Sequence, residues 1–235
     1  MKQNAIQISE NYQLVRQRVM EATQRSGRQP DSVRMVGVTK YVGVEHAKVL
    51  FETGCWDLGE SRPQELWNKS AKLTGPNIRW HMIGHLQRNK VRRTLPLVEW
   101  LHAGDSLRLL KAVDDAAAEL NRRPKVLLEV NISGDGNKHG FDTEDVEAAM
   151  NSISQYEHLE VCGLMAMASA SGGLDQARRD FSGLRELRDR LRQVSPPVIR
   201  LDELSMGMSH DFEEAILEGA TMVRIGSALW EDTLV

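Results

Sequence analysis

Lys40 is the residue of this sequence whose position first suggests covalent chemistry. It directly follows the apolar run VRMVGVT, at the point where a strand would pass into a loop. A lysine amine attacks a carbonyl carbon to form an imine, but only after it has lost its proton. Because the reference pKa of lysine is about 10.4, that loss is assisted by apolar surroundings or a nearby cation. Taken alone, Lys40 is better explained as a solvated charge at a loop entry.

Arg224, close to the other end of the sequence, is more informative. It is embedded in TMVRIG, with apolar residues on both sides. In a strand covered on both faces its guanidinium would lie out of bulk water, where an unpaired charge is strongly destabilising. Two partners are compatible with that burial. One is an inward carboxylate, such as Glu60 or Glu129, and the other is an acceptor group of a ligand.

Gly226 and Ser227 follow Arg224, and Ser209 lies in the earlier stretch LSMGMSHDF. Glycine lets the backbone approach a ligand closely, and serine adds a hydroxyl donor. Gly226 could equally form a plain tight turn. Ser209 precedes the helix-like stretch DFEEAILEG, so we expect it to cap that helix, to belong to an anion site at the helix N-terminus, or both. Together these residues predict a phosphate site.

The hydropathy pattern indicates the scaffold that positions these residues. After a first helix over 6–26, eight short apolar runs alternate with amphipathic stretches. The apolar runs are 33–39, 56–59, 78–83, 98–102, 126–131, 159–165, 201–206 and 222–226. The helix-like segments are 44–53, 62–73, 86–95, 106–121, 142–154, 174–193 and 210–218. Alternation of strands and helices predicts a parallel sheet with helices on its outside.

Two architectures fit this alternation, a doubly wound open sheet and a closed barrel. Eight repeats within 235 residues, without a long linker, favour the barrel. We therefore predict an α/β fold, a single (β/α)₈ TIM barrel with an extra N-terminal helix, in which residues 1–235 form one domain. In a barrel the first strand lies about 4.8 Å from the eighth. Lys40 would then lie beside Arg224 and Gly226.

Composition restricts the class of protein. The net charge of −3 does not fit a nucleic-acid-binding surface, and two distant cysteines form no disulfide or metal-ligand pattern. The sequence has no apolar signal-peptide core and no run of about 18 apolar residues. We therefore expect a cytoplasmic protein without nucleic-acid or membrane partners. His81 and His102 fall inside predicted strands, where histidines are often hydrogen-bonded core residues rather than acid/base groups.

An amine, a buried cation and a phosphate cradle together fit pyridoxal 5′-phosphate (PLP). This cofactor needs an imine partner, a group facing its ring nitrogen and donors to its phosphate. An aldolase that acts on phosphosugars without a cofactor needs the first and last of these, with additional acid/base groups. Three functions remain open: a PLP-binding regulator or carrier, a PLP enzyme acting at the α-carbon of amino acids, and an imine-forming aldolase.

Several longer stretches resemble the PLP homeostasis proteins, a family similar to the barrel domain of alanine racemase standing alone. The resemblance runs nearly end to end. It rests on VGVTK (36–40), LGESRPQE (58–65), WHMIGHLQRNK (80–90), HAGDS (102–106), VNISGDGNKHG (130–140), GLMAM (163–167), LSMGMSHDFEEAI (204–216) and VRIGSA (223–228). Several of these stretches are long and unusual in composition, so chance is a poor explanation for the resemblance.

The resemblance implies roles for individual residues. It implies that Lys40 carries PLP as an internal aldimine, that Arg224 faces the pyridine nitrogen, and that Ser209, Gly226 and Ser227 hold the phosphate. It further implies a role in intracellular PLP (vitamin B6) homeostasis without established catalysis, with PLP-dependent apo-enzymes as partners. We expect no catalytic residue and no metal site.

Two features of the sequence qualify this resemblance. Ser61 stands where the family usually has an asparagine close to the cofactor ring, which affects a ring contact but not the imine. Racemases of this type take an acid/base tyrosine from a further domain of the partner subunit. We find no residues for such a domain, and Tyr41 lies beside Lys40 rather than across the ring, so we expect a monomer without racemase activity.

Overall fold

Eight parallel strands pair in chain order around a closed barrel in the computed structural model, which describes residues 2–135 and 139–233. The strands are β1 (Arg34–Val38), β2 (Asp57–Glu60), β3 (Arg79–Met82), β4 (Trp100–Gly104), β5 (Lys125–Glu129), β6 (Glu160–Met165), β7 (Glu203–Ser205) and β8 (Met222–Ile225). Each strand coincides with one of the predicted apolar runs to within two residues at either end, or lies inside it. The predicted barrel is confirmed, and the open sheet is excluded.

The barrel closes between β1 and β8, as the sequence predicts. Val36 lies opposite Arg224 in this pair, and Gly37 lies opposite Ile225. The carboxyl end of β1 is therefore next to the carboxyl end of β8, and Lys40 lies two residues beyond Val38. This register brings the two ends of the sequence to the same part of the barrel mouth.

Helices cover the outside of the barrel. They are α1 (Lys2–Arg25), α2 (Val44–Glu52), α3 (Pro63–Lys72), α4 (Val91–Thr94), α5 (Leu107–Leu120), α6 (Val146–Ile153), α7 (Gly173–Arg192), α8 (Phe212–Leu217) and α9 (Ser227–Trp230). The extra helix α1 packs against α2, α8 and α9, and Asn11 donates hydrogen bonds to the backbone carbonyls of Leu229 and Glu231. No helix among the described residues is long and apolar enough to cross a membrane.

The predicted helix over 86–95 is wrong in its length. Only the single turn of α4 is α-helical there, between the 3₁₀ turns Arg88–Lys90 and Leu95–Leu97. Pro96 restricts the backbone of Leu95 before it and ends α4 on that side. On the other side Arg88–Lys90 forms a tighter 3₁₀ turn, which the hydropathy pattern does not distinguish from an α-helix. The short helix α9 after β8 was not predicted, because four residues are too few for a periodic pattern.

Two glycines allow the backbone of neighbouring elements to approach closely on the β6–β8 side. A Cβ atom at Gly163 would lie 1.9 Å from the carbonyl oxygen of Glu203, so no larger residue fits between β6 and β7. Gly207, directly after β7, has φ of +92°, and a Cβ there would lie 2.5 Å from the Cβ of Ala215. Gly207 thus lets the chain turn sharply towards α8, and this turn positions Ser209.

Candidate functional site

Lys40 lies at the rim of the barrel mouth, in the turn that follows β1. Its side chain is exposed, and its Nζ lies 4.9 Å from the centre of the Tyr41 ring. The end of β1 is fixed to the end of the chain because the Trp230 Nε1 donates a hydrogen bond of 2.9 Å to the Val38 carbonyl oxygen. The amine is thus free to reach a ligand while the backbone that carries it is held.

A buried ion pair lies directly under this turn. Lys69, 1% exposed on α3, donates from Nζ to the Thr39 carbonyl and to the Glu60 carboxylate, both at 2.6 Å. The Thr39 hydroxyl and the Ser61 amide also donate to Glu60, at 3.1 and 2.9 Å. These contacts fix the backbone carbonyl immediately before Lys40. Glu60, one of the carboxylates considered for Arg224, therefore has a different partner.

The predicted phosphate residues meet where β7 and β8 end. The Ser209 hydroxyl oxygen accepts hydrogen bonds from the backbone amides of Gly226, at 3.1 Å, and Ala228, at 3.3 Å. Ser209 does not cap α8, whose N-cap position is Asp211. Gly226 occupies the N-cap position of α9, and Ser227 is its exposed first residue. Amides directed at one oxygen atom, beside two serine hydroxyls, provide the donors that a phosphate group requires.

A cavity of about 600 Å³ opens over Ser209 and Ser227. Its lining includes Tyr41, Ser209, Ser227, Ala228 and Trp230. The cavity therefore extends from the residue beside Lys40 to the amide group of α9. We call Lys40, Ser209, Arg224, Gly226 and Ser227 together the Lys40 corner of the mouth.

Arg224 is the buried member of this corner and is 5% exposed. Its two terminal nitrogens donate to the Ser205 carbonyl at 2.8 Å, the Ser205 hydroxyl at 2.6 Å and the Ala166 carbonyl at 3.0 Å. It forms no salt bridge within residues 2–135 and 139–233, so the expected alternative of a carboxylate partner is not found there. Burial lowers the pKa of Arg224 to about 10, so the guanidinium remains charged at neutral pH.

A chain of hydrogen bonds runs from Arg224 through the barrel interior. The Ser205 hydroxyl contacts the His102 Nδ1, the His102 Nε2 contacts the His81 Nδ1, and the His81 Nε2 contacts the Asp57 carboxylate, each at 2.9 Å. Both histidines are fully buried, and they are core residues, as expected. Burial is the main cause that lowers the pKa of His81, and it lowers that of His102 well below its usual range.

The charges at the two ends fix the protons within this buried chain. Burial raises the pKa of Asp57, but hydrogen bonds from Arg79 and His81 outweigh that effect and hold it well below its usual range. The Asp57 carboxylate therefore accepts the His81 Nε2 proton. A neutral His81 must then accept at Nδ1 from His102, and His102 must accept at Nδ1 from the Ser205 hydroxyl. Every donor in the chain points away from Arg224 and towards Asp57.

The opposite side of the mouth carries a different set of polar groups. Glu129, at the end of β5, is buried, and no hydrogen bond to its carboxylate is found among the described residues. Burial raises its pKa to about 7, with a further contribution from the charge of Asp105. Arg224 lowers the same pKa, but the two side chains do not pair. Glu129, the other carboxylate considered for Arg224, thus interacts with it only at longer range.

The structure brings the predicted residues of the Lys40 corner to one part of the mouth, and it adds supporting residues that the sequence did not indicate. Lys69 has the appearance of a surface lysine on a helix, and only the three-dimensional structure shows its burial. Ser205 and Thr39 had no assigned role. Residues 136–138 of the stretch VNISGDGNKHG lie outside the described residues.

Comparison with known proteins gives consistent matches over almost the whole chain. The family described as "Alanine racemase, N-terminal domain" matches residues 6–233. A pyridoxal phosphate homeostasis protein from Synechocystis sp. is 36% identical over 87% of this chain and 94% of its own. One from Pseudomonas aeruginosa is 36% identical over 95% of this chain and 94% of its own.

Solved structures agree with these sequence matches. PipY from Synechococcus elongatus, with PLP bound, has a TM-score of 0.84 and 33% identity, and covers 94% of this chain and 99% of its own. An alanine racemase from Clostridium difficile has a TM-score of 0.70 at 15% identity, and the match covers 85% of this chain but 52% of the racemase. This second likeness concerns the fold alone.

Proposed function

This chain belongs to the alanine racemase N-terminal domain family and to the pyridoxal phosphate homeostasis proteins, and from that membership we propose that it binds PLP and takes part in PLP homeostasis. We propose that residues 1–235 act as one PLP-binding unit, as a monomer in the cytoplasm, with PLP-dependent apo-enzymes as recipients of the cofactor. Co-purification of PLP with size-exclusion fractions of monomer mass tests this arrangement, and a stable dimer would contradict it.

The observation that carries the proposal is the composition of the Lys40 corner. An exposed amine, two backbone amides directed at the Ser209 hydroxyl, and a buried arginine lie at the ends of two adjacent strands. The amides and serine hydroxyls fit a phosphate, and the amine fits an aldehyde. We infer that the Lys40 Nζ bonds covalently to the aldehyde carbon of PLP with loss of water, and that Ser209, Gly226 and Ser227 hold the phosphate.

PLP, when bound, supplies an aldehyde for imine formation and a ring that withdraws electrons. We assign Arg224 to the ring nitrogen. A guanidinium donates hydrogen bonds and accepts none, so it leaves that nitrogen without a proton, whereas a carboxylate partner would keep it protonated. The direction of the buried hydrogen bonds supports this role. Each group from Ser205 to Asp57 accepts a hydrogen bond from its neighbour on the side of Arg224. A ring without a protonated nitrogen stabilises carbanions weakly, which favours carrying PLP over reacting with it.

A racemase-like activity would need a second acid/base group across the ring from Lys40. Of the three tyrosines, Tyr41 lies next to Lys40, and Tyr12 lines a cavity with Asp57 near the amino ends of the strands. Tyr156 follows α6 on the outside of the barrel. We therefore do not assign a racemase role. Exchange of the α-hydrogen of several amino acids for solvent deuterium tests this point, and rapid exchange by the PLP-loaded protein would contradict it.

Absorption spectroscopy with borohydride reduction tests the central assignment. We expect the protein to develop a visible band on addition of PLP, and reduction to fix the cofactor on a peptide that contains Lys40. A Lys40→Ala variant should show neither the band nor the label. Lys48→Ala is the matched control, because Lys48 is an exposed lysine on the adjacent helix α2. A colourless wild-type protein, or a reduced label that persists in Lys40→Ala, would refute the assignment.

A further inference from the structure

Three metal-ligating side chains meet at the rim of the mouth away from Lys40. They are His85, Asp105 and His139, and we call them the His–Asp–His cluster. One ligand atom from each lies within 4.8 Å of the other two. The three residues follow β3, β4 and β5 respectively. Because β5 is four strands from β1 in either direction around the barrel, the cluster stands across the mouth from the Lys40 corner.

The carboxylate of the cluster is held in place before any ion binds. Asp105 accepts from Nδ1 of His85 at 2.6 Å on one oxygen and from the Ser106 hydroxyl at 3.0 Å on the other. The Asp105 side chain is 6% exposed, whereas that of His85 is 45% exposed. A fixed carboxylate beside accessible imidazoles leaves an ion a route from solvent to its ligands.

The two imidazoles of the cluster lie face to face. The ring centres of His85 and His139 are 4.7 Å apart, with an angle of 17° between the planes. Neutral imidazole is the form that binds metal ions.

We propose that the His–Asp–His cluster binds one divalent transition-metal ion of the type that prefers imidazole, represented by Zn²⁺. Two imidazole nitrogens and one carboxylate oxygen are a common protein ligand set for such ions, and they leave a coordination position for water or a further ligand. Tetrahedral Zn²⁺ with bonds near 2.0–2.2 Å requires its ligand atoms to be about 3.4 Å apart. Because the side chains of His85 and His139 are exposed, we expect them to rotate on metal binding and bring the ligand atoms to this spacing.

Glu129 provides additional support from below the cluster. Its buried carboxylate interacts electrostatically with both Asp105 and His85. It has no hydrogen-bond donor within the described parts of the chain. A cation at the cluster would place positive charge next to two carboxylates that otherwise repel each other, which lowers the free energy of the bound form.

The alternative is that His85 and Asp105 form an ordinary ion pair and that His139 lies nearby by chance. The chain contains a pair with which to separate these explanations. His158 lies 3.6 Å from Asp114, and its side chain is 45% exposed, as in His85. The pair His158–Asp114 belongs to no cluster of three metal ligands among the described residues. It therefore serves as the control for binding by a single His–Asp pair.

Calorimetric titration with ZnCl₂ tests the proposal. The tag-free protein is stripped with EDTA, dialysed, and titrated without PLP, because PLP itself chelates metal ions. We expect one equivalent of Zn²⁺ to bind with a Kd on the order of 10 µM or tighter. His85→Gln, Asp105→Asn and His139→Gln should each weaken binding by about tenfold or more. His158→Gln should bind as the wild type does.

His139→Gln decides between the two explanations, because an ion pair of His85 and Asp105 does not involve that ring. Binding by this variant equal to that of the wild type would overturn the proposal. So would the lack of a saturable site below about 1 mM, or an equal loss of affinity in His158→Gln. Both cysteines are buried, so thiol ligands do not confuse the titration.

Discussion

The two sides of the barrel mouth hold their polar groups by different means. At the Lys40 corner, backbone amides, the Trp230 indole and a buried ion pair fix the main chain, and Lys40 itself extends freely into solvent. At the His–Asp–His cluster, side chains from three loops bond mainly to one another. The first side is suited to hold one ligand of defined shape, and the second can adjust the spacing of its side chains to a small ion.

The largest effect is expected from removal of the buried ion pair under Lys40, which should destabilise the folded protein on that side of the mouth. Lys69→Met leaves the Glu60 carboxylate buried without its cation, which is expected to cost about 3–5 kcal/mol in the free energy of unfolding. Urea denaturation measures this loss. Lys72→Met is the control, because Lys72 is exposed on the same helix and should change stability by less than about 0.5 kcal/mol.

The double variant Glu60→Gln/Lys69→Met should recover part of the stability that Lys69→Met loses, since no uncompensated charge remains in the interior. If Lys69→Met is as stable as the wild type, the ion pair does not support the Lys40 corner. The main chain at the Lys40 corner would then be held by the backbone amides and the Trp230 indole alone.

Acid should lower the free energy of unfolding through His81 and His102, which are connected to Arg224 of the Lys40 corner by the buried hydrogen bonds. Their pKa values are lowered in the folded protein, so below pH 6.5 the unfolded chain binds protons that the folded barrel does not. Their contribution to stability is therefore complete above about pH 6.5 and is lost as the pH falls, with a slope of up to about 1.4 kcal/mol per pH unit for each histidine.

Urea denaturation of the wild type and of His102→Gln at pH 5.5, 6.5 and 7.5 measures this slope. In the variant, the free energy of unfolding should depend less steeply on pH, by the contribution of about one proton. Parallel profiles for wild type and His102→Gln would show that the buried histidine is not neutral.

Loss of the Ser209 hydroxyl should weaken phosphate binding. In Ser209→Ala the affinity for PLP should fall by about tenfold, because one hydrogen bond to a charged group is lost while the amides remain. Affinity for pyridoxal, which has no phosphate, should stay unchanged. An equal loss for both ligands would indicate that Ser209 acts on the backbone and not on the phosphate.

The smallest effect is expected when a residue on one side of the mouth is replaced and the affinity for the ligand of the other side is measured. His139→Gln should change the affinity for PLP by less than about twofold, and Ser209→Ala should leave Zn²⁺ binding unchanged within the same limit. Titration of each variant with each ligand measures this independence. A larger cross-effect would mean that the two sides act as one site.

The proximity of the residues of the Lys40 corner could be predicted because they lie in or near the carboxyl ends of short apolar strands. Lys40 and Gly226 could be placed beside each other once eight repeats required closure of the barrel. The burial of Lys69 could not be predicted, because it depends on where α3 crosses the end of β2 and on the position of Glu60. The helix over 86–95 was overestimated because the hydropathy pattern does not separate the 3₁₀ turns Arg88–Lys90 and Leu95–Leu97 from the α-helical turn of α4.

The contacts inside the barrel depend on register between strands that are distant in sequence. His81, His102 and Ser205 meet because the side chains on β3, β4 and β7 lie at the same level along the barrel axis. No local sequence pattern encodes that level. The cluster has the same character, since its three ligands come from three separate loops. Local motifs therefore revealed one side of the mouth, while the interior and the other side required the fold.

The hydrogen bonds from Arg224 to Asp57 all run in the same direction, and this limits which substitutions evolution can accept at these positions. Asp57 and Arg224 stand at opposite ends of a row of groups that all orient the same way, so replacement of either end alone reverses or breaks the row. Drift at one end should therefore be tolerated only with a matching change at His81 or His102. Among divergent relatives, these positions are expected to be inherited as a set, although the terminal members lie on different faces of the barrel.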